Sequence, residues 1–152
     1  MSQTLDTNVL VFASHAASPL HERAQSFVAH IVAGPTLTYV FWPAIVGYLR
    51  IITHPRVLGA PLSADDALAN VERLISPSHV RVFGEGDGFW DSLRRVVTDD
   101  KARGKLVAEA HLVALMRENG VSTIWSHDRD FRKFSDVTVR DPFDDRYATG
   151  FP

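Results

Sequence analysis

The sequence predicts an α/β fold with a mostly parallel central sheet and helices on both faces, three layers in all. Short β-branched and aromatic runs alternate with longer stretches of helical periodicity along the whole chain. The 152 residues suffice for one domain with one sizeable core. A composition of 45% hydrophobic and 22% charged residues is ordinary for a globular protein.

Residues 3–6 read as the opening strand. Asn8 to about Ser14 reads as a helix, with Thr7 or Asn8 placed to cap it. Ser18-Pro19 opens a second helix that runs to Ala33, where Gly34-Pro35 stops it. Thr36–Val40 is β-branched and aromatic, a strand. Trp42-Pro43 starts a third helix, Ala44–Thr53, closed by His54-Pro55. Ser63-Ala64-Asp65-Asp66 carries a cap and first-turn acids, and its helix runs to Ile75. Val80–Phe83 is a strand, and Asp87 to about Thr98 is helical. Lys105–Asn119 is a stronger helix that ends at Gly120. Val121–Trp125 is a strand, Ser126–Phe134 a loop or single helical turn, and Val137–Arg140 the last strand. The tail from Asp144 is expected to be loose, leaving a domain over 1–143 and a tail over 144–152.

A net charge of −2 gives no global pull towards nucleic acid, so any such contact must come from a local patch. With no cysteine, disulfides and thiolate metal sites are excluded. No apolar stretch reaches the ~18 residues of a membrane span, and the N-terminus lacks the basic region of a signal peptide. A cytoplasmic protein is expected.

Four acids stand out. Asp6 is wedged between an apolar strand and the run Val9-Leu10-Val11-Phe12-Ala13, where an unpartnered charge costs several kcal/mol. Glu109 has Leu106, Leu112, Val113 and Met116 as its neighbours at helical spacing, so it interrupts a core-facing stripe. Asp128 and Asp130 follow the strand that ends at Trp125. Taken alone, the last two read as a helix cap and a first-turn acid. Sites in parallel sheets form beyond the carboxyl ends of the strands, so Asp6 and the Asp128–Asp130 pair share an edge if their strands are neighbours. Carboxylates crowded together coexist most easily around a hard divalent cation such as Mg²⁺ or Mn²⁺.

These segments carry a resemblance. Leu5-Asp6-Thr7-Asn8-Val9-Leu10 resembles the first motif of PIN domains. Tyr48-Leu49-Arg50-Ile51-Ile52-Thr53-His54-Pro55-Arg56-Val57 is similar to a segment of the VapC toxins of toxin–antitoxin pairs, in the branch abundant in mycobacteria. Glu109-Ala110-His111-Leu112-Val113-Ala114-Leu115 and Ser126-His127-Asp128-Arg129-Asp130-Phe131 resemble that branch's later motifs. The similarity spans about residues 3–143. It implies a PIN-like three-layer fold and an endoribonuclease that uses Mg²⁺ (or Mn²⁺) to hydrolyse RNA through a metal-activated water. It also implies an RNA substrate such as tRNA or rRNA, a VapB-type antitoxin and a homodimer. By the resemblance Asp6, Glu109, Asp128 and Asp130 are catalytic, the first three hold the metal, and Asn8 and Ser126 support them.

The chain departs from that pattern in two ways. The family's acid on the helix after the second strand is missing, for no Asp or Glu lies between Glu22 and Asp65. The third acid is Glu109, where Asp is commoner. The first departure leaves an alternative reading, a degenerate PIN domain that binds RNA or protein without cutting. A haloacid-dehalogenase-like phosphotransferase would need a second Asp two residues after Asp6, and Asn8 stands there.

Lys101, Arg103 and Lys105 lead into the Glu109 helix and are candidate RNA-phosphate contacts; the competing reading pairs this face with Asp99 and Asp100. Arg50 is expected to tie down a carboxylate or carbonyl. His111 lies about 200° around its helix from Glu109 and is expected to pack or hydrogen-bond.

Overall fold

The computed structural model describes residues 1–57 and 59–152. Its centre is a five-stranded sheet in the order β3-β2-β1-β4-β5. The strands are β1 Ser2–Leu5, β2 Leu37–Phe41, β3 Val80–Phe83, β4 Thr123–Trp125 and β5 Thr138–Arg140. Every pairing is parallel. The helices among the described residues are α1 Thr7–Ser14, α2 His21–Ala33, α3 Trp42–Ile52, α4 Ala64–Ile75, α5 Phe89–Asp99 and α6 Leu106–Glu118. None is long and apolar enough to cross a membrane.

Both faces of the sheet are covered, as parallel sheets require. Alternation along the strands shows this directly. Val40 and Trp125 point into a cluster built from α1, α2, α3 and α4, including Val9, Phe27, Tyr48 and Leu74. Their neighbours Phe41 and Ile124 point the other way, into a cluster with Val96 of α5 and Val113 and Met116 of α6. The apolar stripe read on α6 is therefore buried, at Leu112, Val113 and Met116.

Local chemistry explains most boundaries. Ser63 caps α4 by accepting from the Asp66 N–H at 3.1 Å. Pro43 sits in the first turn of α3, where its missing N–H is harmless. Gly120, at φ 66°, turns the chain after α6 in a conformation that glycine adopts freely. Two expectations shift. Asp6 itself, not Thr7 or Asn8, caps α1, and the strand before it closes at Leu5. β4 starts at Thr123, two residues later than read, because Val121 is still tied to α6 through the Met116 carbonyl at 2.9 Å.

The expectation of a loose tail from Asp144 is corrected. Residues Asp145–Tyr147 form a short 3₁₀ turn, and the Tyr147 and Phe151 rings pack on Trp125 at 5.0 and 6.0 Å. Phe151 also meets Phe27 at 5.0 Å. Arg23 donates to the Pro142 and Asp144 carbonyls at 3.1 and 2.9 Å, which ties the segment to α2. Three aromatic rings burying one another outweigh the entropy that frees most chain ends. Arg50 is also corrected: it is exposed and makes no ion pair among the described residues, so solvent compensates its charge.

Candidate metal centre

The site is built where β1 and β4 end. They pair in register, Leu5 against Trp125, and the Asp6 N–H continues the ladder to the Trp125 carbonyl at 3.0 Å. Asp6 and Ser126 therefore leave adjacent strands at one level. Asp6 turns into α1, where one of its oxygens accepts from the Thr7 N–H at 2.7 Å. Its other oxygen accepts from the Ser126 hydroxyl at 2.9 Å.

Ser126, buried, is the hub. Its oxygen accepts from the Asp128 N–H at 2.9 Å and from Asn8 Nδ2 at 3.2 Å. A hydroxyl has two acceptor positions and one proton. With both lone pairs taken, the proton must go to Asp6. Asn8 completes the frame by accepting from the His127 N–H at 3.4 Å. Asp128 in turn caps the 3₁₀ turn Arg129–Lys133 by accepting from the Asp130 N–H at 2.9 Å. The cap role read for Asp128 and a place among the acids are thus compatible.

From the opposite layer, α6 brings Glu109. Oxygen atoms of Glu109, Asp128 and Asp130 all lie within 4.8 Å of one another. Glu109 Oε2 is buried and has no hydrogen-bond partner among the described residues. Burial pushes the Glu109 carboxyl up from its ordinary pKa, and the charges of Asp128, Asp130 and Asp6 push further. Burial also raises Asp6, against the pull of its bonds from Ser126 and Thr7, and Asp128 adds to the rise. A group of acids in which Glu109 and Asp6 have disfavoured charged forms, and Glu109 an orphaned buried oxygen, could hold a cation. Oxygen donors of this kind suit a hard divalent ion.

The family model of the PIN domain matches residues 4–137. Ribonuclease VapC48 of Mycobacterium tuberculosis is 55% identical over 143 residues, 94% of this chain and 99% of its own. This chain is a PIN-domain protein of the VapC type. Ribonuclease VapC33 of the same organism is 33% identical over 137 residues, 90% of this chain and 95% of its own. Among solved structures, Mycobacterium tuberculosis VapC20, a Sarcin-Ricin loop cleaving toxin, superposes with a TM-score of 0.62 at 19% identity. It covers 89% of this chain and 98% of its own. FitAcB from Neisseria gonorrhoeae gives a TM-score of 0.54 at 18% identity, over 93% of this chain and 98% of its own. At such identities the two structures speak for the PIN fold alone.

Within this PIN domain, the acids read from the sequence do not all gather equally. Glu109, Asp128 and Asp130 converge; Asp6 stands just behind them, joined through Ser126 and close enough for its charge to act on Glu109. The α3 helix supplies no acid. Its Gly47 backbone lies so close to Thr7 that an added Cβ would fall 2.8 Å from the Thr7 hydroxyl oxygen, which itself donates to the Ala44 carbonyl at 3.1 Å.

The basic segment is divided. Lys101 and Arg103 are exposed, whereas Lys105 pairs with Asp130 at 3.0 Å. Asp100 does not pair with this face; it holds Arg117 at 3.0 Å and the Ser135 N–H at 3.2 Å. Lys133, which sequence reasoning missed, grips the other oxygen of Asp130 at 3.0 Å. Its spacing of three residues from Asp130 was the signal that could have found it. These two lysines hold the Asp130 carboxyl below the usual carboxylate range. His111 packs on the Phe89 ring at 5.1 Å and hydrogen-bonds Glu85, as expected of a histidine facing away from Glu109.

Proposed function

We propose that this VapC-type PIN domain is the toxin of a VapBC-type pair and a divalent-metal-dependent endoribonuclease. The convergence of Glu109, Asp128 and Asp130, with the buried unpartnered Glu109 Oε2, carries the reading. Glu109 and Asp128 would hold Mg²⁺ or Mn²⁺, and Asp6 would complete the set. Bound there, the ion supplies a Lewis acid that activates water and offsets phosphate charge.

The chain's own residues supply the rest. Ser126 and Asn8 fix Asp6 and Asp128 before substrate arrives, so little reorganisation is needed. A carboxylate of the cluster left free of the ion accepts the proton of the attacking water. Lys101 and Arg103, exposed beside α6, meet phosphates along the RNA, and tRNA or rRNA is the proposed substrate.

A groove of about 520 Å³ between α1, α2 and α4 suits an antitoxin segment. Leu10, Val28, Val32 and Leu74 form its apolar walls, and the hydrogen-bonded Ser14, Tyr48 and Asn70 give it a polar end. Exposed Trp42 and Val46, one turn apart on α3, offer apolar area that a second copy would cover in a homodimer. Such a protein would work in the cytoplasm. Purified protein given Mn²⁺ should cut RNA, and Asp6→Asn should not; identical behaviour of the two rejects the reading.

A further inference from the structure

We infer that Lys105 and Lys133 place their ammonium groups where a second metal ion would otherwise sit, so that the PIN site holds a single divalent ion. This rests on the metal-dependent reading above and deepens it.

The geometry is specific. Lys105 directly precedes α6 in helical backbone conformation, at φ −61° and ψ −27°. It lies four residues before Glu109, so the two share one helix face. Its Nζ is 3.0 Å from one Asp130 oxygen, and Lys133 Nζ is 3.0 Å from the other. A metal drawing on Asp130 would therefore have to share each of its oxygens with an ammonium group, whose positive charge repels the ion.

Stability does not account for the arrangement. The lysine side chains are 81% and 57% exposed, and pairs of that kind add little to folding. Charge does account for it. Asp6, Glu109, Asp128 and Asp130 bring four negative charges to one end of the sheet. One divalent ion and two ammonium groups balance them. A second divalent ion would leave an excess of positive charge, and α3 contributes no carboxylate to absorb it. Each ammonium group also keeps donors beyond its bond to Asp130. Those can meet the non-bridging oxygens of an RNA phosphate, a task that second ions perform in two-metal nucleases.

The test is a Mn²⁺ titration followed by the electron paramagnetic resonance of the free ion, on wild type, K105Q and the K105Q/K133Q double variant. The lysines are exposed, so the fold should survive, and circular dichroism checks this. Wild type should hold one ion per chain and the double variant two, with K105Q showing whether Lys105 alone suffices. A double variant that still holds one ion overturns the inference, as does a wild type that holds two, and in both cases the metal-dependent reading stands. A wild type that binds no Mn²⁺ overturns that reading and the inference with it.

Discussion

The Ser126 hydroxyl donates to Asp6 at 2.9 Å while accepting from the Asp128 backbone, so one side chain couples acids that lie far apart in sequence. Ser126→Ala removes the donor to Asp6 and leaves the Asp128 N–H and Asn8 without their acceptor. It should cost about 1–3 kcal/mol of stability. Urea denaturation measures this, and RNA cleavage should fall as well because both acids lose their fixed positions.

Glu109→Gln should separate folding from function. The native carboxylate is disfavoured by burial and by its acidic neighbours, so the neutral amide should raise the thermal midpoint of metal-free protein at neutral pH. The same change should abolish cleavage. Mn²⁺ should raise the midpoint of wild type more than that of the variant, which scanning calorimetry reads directly.

The pH dependence follows from opposite shifts within one site. Asp6 and Glu109 are raised, so metal-free protein has their full contribution below the unfolded carboxylate pKa and loses it as pH rises through their folded values. Asp130 is lowered, so its contribution is present above the unfolded value and is lost as pH falls through the folded one. On the proposed reading Asp6 and Glu109 take up the ion in their ionised forms. Mn²⁺ binding to metal-free protein should therefore weaken on acidification at a higher pH than ordinary carboxylates would dictate, and Mn²⁺ titrations at several pH values check it.

Reversing the charge of Lys101 and Arg103 should weaken RNA binding about uniformly across sequences. It should also flatten the dependence of log affinity on log salt by about 1 for every phosphate no longer engaged. Fluorescence anisotropy at several salt concentrations measures both; an unchanged slope removes these residues from the RNA path.

Phe151→Ala should destabilise the fold by about 2 kcal/mol, less than a fully buried phenylalanine because the ring is half-buried. Chemical denaturation tests it. An unchanged midpoint would mean that the tail contributes nothing to the core.

Much of this was legible in the residues. Short β-branched and aromatic runs alternating with helical stretches pointed to the layered parallel sheet, and the apolar stripe of α6 stated which side of that helix meets the core. Asp6 and Glu109 stood out because a charge amid apolar neighbours needs a reason. The Lys133–Asp130 bond was harder to read, since a solvent-facing pair at short spacing looks the same whether it is idle or part of a site. Arg50 misled for the opposite reason: an apolar helix suggested a buried charge, but only one of its faces is covered. The docked tail escaped because Tyr147 and Phe151 are isolated in sequence and find Trp125 and Phe27 only through the tertiary fold.

The order of the strands has a consequence for synthesis. β1 lies at the middle of the sheet, and its neighbour β4 is among the last elements to be made. A ribosome adds ~5–20 residues per second, so Ser126 and Asp128 emerge roughly 6–24 s after Asp6. Until then the first acid has no strand on its far flank, and Glu109, made shortly before, has neither Asp128 nor Asp130 to meet. A chain that stalls or is cut short before β4 carries the opening motif without the strand and the two aspartates that would complete the acid cluster.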